Sequence, residues 1–383
     1  MPAEKPRIAI LGAGPIGLEA ALQAAHLGYP VTVYERGDIA ESLGQWGQVK
    51  LFTPFGMSVS SLGLELIAKE HPQHQLPGPN DLLTGFDFRD AYLIPLTLTA
   101  KLADAVRTRT QVVGIGRGGS LRTEPVHDPK RAATPFRLLL RDAQAAESFA
   151  EADVILDCTG TYGKHAWLGD GGIPAIGEIA AEKQIAYGVD DVLGKRKAHY
   201  AGKSVLVIGG GYSAATTVCA LAQLAEENAA TWTIWIARSA KTPPLARKPN
   251  DPLRERDRLA AKANNLAARG DGNVEFRSHV LIDEIISHGP DKGFRVVGRC
   301  NGKPMVWEVD RVIGNVGYLP DTLMTRELHV AEFADGNIRQ PEPGYFVLGM
   351  KSFGRDSNFL LKRGYEQVKE VLTEISRRKG RDG

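Results

Sequence analysis

The sequence predicts an α/β chain that uses one plan twice: a parallel sheet covered by helices, with a β-meander attached, the second copy inserted into the first. Three observations carry this. A strand, a glycine-rich turn, a helix and a second strand follow one another at Arg7–Glu35 and again at Ser204–Ala237. Each unit is followed by hairpin-type strands and then by a strand that runs into glycine, at Gly160 and at Gly317. The chain has 383 residues, room for two to three domains at roughly 150 residues each.

The elements follow in order. Arg7–Leu11 is an apolar run of buried-strand length. Gly12-Ala13-Gly14-Pro15-Ile16-Gly17 comes at once, then a strong helix former from Leu18 to Leu27 that Gly28 closes. Val31–Glu35 is the second strand. Residues 38–100 are rich in Gly, Pro, Ser and aromatic residues and read as irregular loops, long enough to be functional. Phe136–Leu140 and Asp153–Asp157 are strands leading into Cys158-Thr159-Gly160. The second copy runs Ser204–Ile208, Gly209-Gly210-Gly211-Tyr212-Ser213-Ala214, a helix from Ala215 to about Glu227, and Thr231–Ala237. Phe294–Val297 and Met305–Asp310 then lead into Val312–Gly317, and Phe359 to Lys379 forms a final helix.

Composition narrows the classes. Lys and Arg exceed Asp and Glu by only 2, which excludes a nucleic-acid binder driven by bulk charge. No apolar run approaches the roughly 18 residues of a membrane span, and the N-terminus leads straight into a strand, so a cytoplasmic location is expected. Cys158, Cys219 and Cys300 are far apart, with no CxxC and no zinc spacing; no metal is expected. Glycine numbers 42, well above the average of about 7%, a surplus that suits turns and phosphate loops.

The chemistry lies in the two glycine turns. Gly12 permits a tight turn, Gly14 lets backbone approach a pyrophosphate, and Gly17 lets helix and strand pack closely. The helix start offers unpaired N–H groups to phosphate. Glu35, about 20 residues on, accepts from a ribose 2′-hydroxyl and repels a 2′-phosphate, so the first site takes FAD or NAD. Gly209, Gly211 and Ala214 repeat the device, with Tyr212 and Ser213 in the turn. Here Arg238 and Ser239, with Lys241 beyond, stand where the first copy has Glu35 and Arg36. A cation there pairs with a 2′-phosphate, so the second site reads as an NADPH site; a solvated strand-end charge is the alternative. Both copies are then Rossmann-like three-layer dinucleotide-binding domains, and hydride passes from NADPH to a flavin in the first.

Gly12–Gly17 with Glu35, Asp157–Gly160, Gly314–Gly317, Gly344–Gly349, Gly47–Pro54, Gly349–Asp356 and Gly364–Gln367 together resemble the two-dinucleotide-binding-domain flavoproteins, in particular the flavin-containing-monooxygenase-like group of bacterial FAD/NAD(P)-binding oxidoreductases. The resemblance implies an FAD-binding domain over 1–162 and 312–383 and an NADPH-binding domain over 163–311. It places the flavin ring near 44–54 and 349–361. It adds Pro15, Ile16, Arg36, Trp46, Gly160, Gly317, Gly349, Phe359 and Leu360 to the cofactor-binding set, and Gln48, Thr53, Lys351 and Asn358 as catalytic candidates. Ser357 or Asp356 would cap the last helix, and Arg355 would add charge beside Lys351. The implied activity is transfer of one oxygen atom from O2, through a flavin C4a-(hydro)peroxide, to a nitrogen or sulfur of a small molecule. The alternative is an NADPH-dependent reductase serving a disulfide, quinone or protein acceptor. Homodimerisation stays open. One departure stands out: many relatives follow Gly349 with Asp for the ribityl chain, and here Met350 follows.

Overall fold

The computed structural model describes residues 5–269, 272–331, 333, 335–354, 356 and 358–379. It divides into two compact units, one made of the chain up to Lys164 and from Leu319 onward, the other of His165–Tyr318.

The first unit holds a five-stranded parallel sheet in the order Tyr345–Val347, Val154–Asp157, Ile8–Leu11, Val31–Tyr34 and Val106–Arg107. Successive side chains of a strand point to opposite faces. Ile8 and Ile10 pack with Leu18 and Leu22 of the first helix, Pro15–His26, and with Val368, Val371 and Ile375 of the last, Leu361–Lys379. Ala9 and Leu11 pack with Ile115, Phe136 and Leu138 of an antiparallel meander built of Gln111–Arg117, Phe136–Arg141 and Glu147–Ala152. A strand buried on both faces reads as a continuous apolar run, and Ile8–Leu11 is one.

The second unit repeats the three layers. Its sheet runs Val274–Arg277, Trp232–Ile236, Ser204–Ile208, Arg311–Gly314, Ala186–Tyr187. Val205 and Val207 pack with Ala214, Val218 and Leu221 of the Tyr212–Glu227 helix. Leu206 and Ile208 pack with Ile282, Val296 and Trp307 of the meander Val280–Ser287, Phe294–Cys300 and Lys303–Val309. The predicted α/β class, with its repeated layers, is the observed one.

Three local expectations need correction. The strand Arg311–Gly314 pairs in parallel with Ser204–Ile208, so Val312 and Ile313, assigned from sequence to the first domain, lie in the sheet of the second. The stretch 38–100 is partly helical: Ser60 caps Ser61–Glu70 by accepting from the Gly63 amide, and Thr84 with Asp87 makes a reciprocal capping box for Gly85–Phe88. The last helix starts at Leu361, two residues later than expected.

A buried charge cluster fastens the meander of the first unit to the loop before its last strand. Glu342, fully buried, accepts from Arg117 Nε at 2.9 Å and from Arg131 Nη2 at 2.9 Å, both guanidinium groups being 1% exposed. The Arg117 guanidinium also lies 3.6 Å from the centre of the Phe136 ring.

Candidate functional site

The turn after the first strand has the shape a phosphate loop needs. Gly12 has φ +96°, and a Cβ there would lie 2.9 Å from the Cys158 carbonyl oxygen. A Cβ on Gly17 would lie 1.9 Å from the Gly12 oxygen, so the helix can sit on the turn only because residue 17 has no side chain. Gly14 differs: it begins the helix with no side-chain cap, Pro15 follows, and a Cβ on it would meet nothing within 4 Å. The first-turn amides of Ile16 and Gly17 therefore face an open cradle at the positive end of the helix.

Glu35 is 8% exposed and braces this turn, accepting from the Ala13 amide at 2.8 Å and the Gly37 amide at 2.9 Å. Each carboxylate oxygen keeps a further lone pair for a hydroxyl donor. Arg36 is exposed, its guanidinium close enough to Gly163 that a Cβ there would stand 3.2 Å away.

These geometries separate packing from ligand approach. Gly17→Ala should lower the stability of the ligand-free chain by about 1–3 kcal/mol through overpacking. Gly14→Ala should leave that stability within about 0.5 kcal/mol and weaken dinucleotide retention. Thermal unfolding of stripped protein, with and without added FAD, checks both.

The strand end at 157–160 is fixed by charge. Asp157, fully buried, accepts from the Thr159 amide and hydroxyl through Oδ1, and from Tyr345 Oη at 2.6 Å and Lys351 Nζ at 2.7 Å through Oδ2. Burial alone would raise its carboxyl; the Lys351 ammonium and these hydrogen bonds outweigh that and hold it below the usual range. Burial pushes the Cys158 thiol well up, so it stays neutral. Gly160 has φ +66° with open space where a Cβ would be.

Lys351 was a catalytic candidate, and its placement contradicts that. It is fully buried, and its three donors go to Asp157, to Thr159 Oγ1 at 3.0 Å and to the Asp321 carbonyl at 2.9 Å. No proton remains to offer a cofactor.

The closing turn is held by a residue that sequence reasoning quoted but gave no role. Gln367, on the last helix, accepts from the Gly349 amide at 2.8 Å and donates to Ser352 Oγ at 2.8 Å and the Gly336 carbonyl at 3.1 Å. Gly349 has φ +74°, and a Cβ on it would lie 3.2 Å from Ile16; one on Gly364 would lie 2.3 Å from Ile16 and 3.1 Å from Phe359. First helix, closing turn and last helix thus converge on Ile16, with Phe359 beside it and Leu360 half-buried.

Asn358 is exposed and bound to Asp356, whose Oδ1 accepts from its amide at 2.8 Å and its Nδ2 at 3.2 Å. Asp356 therefore closes a turn ahead of the helix instead of capping it. Ser357 and Arg355 lie outside the described residues. Thr53 is half-buried with its hydroxyl on Ser58 Oγ at 2.9 Å, so that group is already engaged; Gln48 is half-buried. Trp46 is different. Its ring lies 5.8 Å from Tyr162, and its indole N–H is buried with no partner among the described residues, a donor left for a group the chain does not supply.

The second turn has the same form. Gly209 donates to the Ile236 carbonyl at 2.9 Å, and a Cβ on it would lie 2.3 Å from the Asn315 oxygen. Trp235, which the sequence did not single out, donates its indole N–H to the Gly209 carbonyl at 2.7 Å and locks the turn from below. Gly211 starts the helix without a side-chain cap and has nothing within 4 Å of a Cβ position. Tyr212 is half-buried, Ser213 exposed and Ala214 buried. Arg238 and Ser239 are exposed at the end of the next strand; Arg238 pairs with no described residue, and Ser239 Oγ accepts from the Lys241 amide at 3.2 Å. Gly317 has φ +96°, and its carbonyl accepts from Ala166 at 2.9 Å.

Both turns fit a dinucleotide: an open cradle, a free helix start, and an acidic ribose edge in one unit against a cationic one in the other. A family model described as pyridine nucleotide-disulphide oxidoreductase matches residues 7–44. A sequence comparison with curated proteins gives no match. Among solved structures, the bacillithiol disulfide reductase Bdr (YpdA) from Bacillus cereus is 17% identical, with 98% of this chain and 100% of that one covered at a TM-score of 0.72. The ornithine hydroxylase PvdA from Pseudomonas aeruginosa is 16% identical, with 97% and 99% covered at 0.69. The FAD-bound cadaverine monooxygenase DfoA from Erwinia amylovora is 14% identical, with 98% and 95% covered at 0.68. The chain therefore has the two-domain dinucleotide-binding fold that these oxidoreductases share.

Proposed function

We propose that the chain is an FAD-dependent NADPH oxidoreductase, and within that class a monooxygenase that places one oxygen atom of O2 on a nitrogen or sulfur of a small molecule. The observation that carries the coarser reading is the pair of uncapped glycine cradles with opposite ribose edges, the buried Glu35 in one unit and the unpaired Arg238 in the other. FAD, when bound, supplies the hydride acceptor and the oxygen chemistry. The chain's part is to bind and orient. The amides of Ile16 and Gly17 hold the pyrophosphate, Glu35 the adenosine ribose, and the Trp46 N–H an acceptor on the cofactor. Arg238 holds the NADPH 2′-phosphate. Likeness to PvdA and DfoA supports the oxygenating form. So does the cysteine pattern: the sequence has no CxxC, and Cys158, Cys219 and Cys300 are all free, the first two buried and the third half-buried.

The TM-score of 0.72 to a disulfide reductase favours a second reading, an NADPH-dependent reductase serving a quinone, a disulfide or a protein acceptor. Paired O2 and NADPH consumption, with and without a panel of amines and thioethers, separates the two. One O2 per oxygenated product supports the monooxygenase; NADPH oxidation that ignores O2 and needs an added acceptor overturns it. The nucleotide assignment has its own check. Arg238→Glu should weaken NADPH binding by about 10- to 100-fold, the worth of a charge-assisted phosphate contact, and leave NADH nearly unchanged. Titration of both nucleotides reads this.

A further inference from the structure

The segment from Arg238 to Lys262 carries eight Lys and Arg against three Asp and Glu, a net charge of +5 in a chain that totals +2. The three acids are internally consumed. Asp257 takes Arg247 at 2.7 Å, Asp251 takes Arg256 at 2.6 Å, and Glu255 takes Arg258. Arg238, Lys241, Lys248, Arg254 and Lys262 are left exposed with no ion pair to any described residue. On the helix Arg254–Ala268, Arg254, Arg258 and Lys262 follow at four-residue spacing and share one face. The opposite face buries Ala260 and Ala263 in the cluster that also holds Ala214, Ala215 and Val218 of the turn helix. Tyr212, the first residue of that helix, packs against the same cluster. The loop between leaves an open hollow of about 380 Å³ lined by Lys248, Pro249, Asn250, Asp251, Pro252 and Arg256. The basic segment therefore borders the uncapped start of the second turn helix.

A single 2′-phosphate needs no more than Arg238 and Lys241. We propose that Lys248, Arg254 and Lys262 form an electrostatic entry surface for NADPH, drawing the nucleotide toward Gly211 and Arg238 and setting its association rate without contacting it once bound. This rests on the NADPH reading above. A patch of one sign beside a cleft raises the encounter rate of an opposite charge by 10- to 1,000-fold. The effect acts over about 30 Å at 0.01 M salt and shrinks to a few ångströms near 1 M. NADPH carries a phosphate monoester that NADH lacks, worth about −2 in charge, so the surface also discriminates between the two at the encounter step.

The test is rapid mixing of the FAD-loaded protein with NADPH or NADH, following nucleotide binding at about 10 mM and about 0.5 M salt. The variant Lys248→Gln/Arg254→Gln/Lys262→Gln should bind NADPH about tenfold more slowly than the parent at low salt. It should slow NADH by less, and both effects should vanish at high salt with dissociation rates unchanged. Lys248→Arg/Arg254→Lys/Lys262→Arg, which keeps the charge, should match the parent. Equal association rates at low salt would overturn the entry surface, and so would a faster dissociation with unchanged association, which marks direct contacts. Failure of the NADPH reading looks different: the unaltered protein would not bind NADPH at either salt, and Arg238→Glu would change nothing.

Discussion

Replacing Lys351 by Met should lower the unfolding free energy by about 3–5 kcal/mol, the usual cost of removing one member of a buried ion pair. The expected outcome follows from what stays behind. Asp157 sits fully buried beneath the first sheet's glycine strand end, and without the Nζ at 2.7 Å its charge has only neutral donors. Urea unfolding measures the loss. Adding Asp157→Asn to Lys351→Met should recover more than half of it, because the amide keeps the acceptor for Thr159 and removes the stranded charge. A catalytic lysine would behave otherwise: stability would hold while turnover stopped, and the second substitution would not help. The pH dependence has a definite sign. The Asp157 carboxyl titrates lower in the folded chain than in the unfolded one, so its stabilisation is fully present above the unfolded value of about 3.9. It is lost as pH falls through the folded value.

The second large effect belongs to Glu342. Glu342→Gln preserves volume but leaves the guanidinium groups of Arg117 and Arg131, each 1% exposed, without a counter-charge. The expected loss is again about 3–5 kcal/mol, with Glu342→Gln/Arg131→Met partly restored. Burial would raise the Glu342 carboxyl, but hydrogen bonds from Arg131, the His329 amide and Arg117 hold it below the usual range. Its contribution is present above about pH 4.3, the unfolded value, and disappears as pH falls through the folded value, so the variant should show a shallower acid limb in a stability–pH profile. An unchanged limb would mean that Glu342 is not the group that titrates there.

Both clusters show why parts of the molecule could not be read in advance. Asp157 and Lys351 are 194 positions apart, and Glu342 stands 211 from Arg131. No local pattern links them, so Lys351 was assigned by its place after a glycine motif and not by its partner. Gln367 escaped for the same reason, its partner Gly349 being 18 positions back on a different element. The glycine turns were legible because their logic is local: a Cβ at residue 17 strikes the oxygen of residue 12, five positions away. The three-layer plan was legible from apolar runs such as Ile8–Leu11 and Val205–Ile208, which alternate between helix and meander cores. Glycine and proline density hid the helices between 38 and 100, where Ser60 and the Thr84–Asp87 pair do the starting. Residues 312–314 of the strand Arg311–Gly314 were assigned to the wrong domain because a strand's sheet partners cannot be read from the strand itself.

The insertion of one unit within the other sets the order in which the nascent chain can finish folding. His165–Tyr318 emerges from the ribosome as one uninterrupted stretch, with all five of its parallel strands in hand. The unit begun earlier still lacks the edge strand Tyr345–Val347 and the helix that brings Val368, Val371 and Ile375 against Ile8 and Ile10. At typical synthesis rates of about 5–20 residues per second, that half-built sheet waits roughly 10–40 s with the face of Ile8 and Ile10 only partly covered by the first helix, the interval in which a chaperone would be needed.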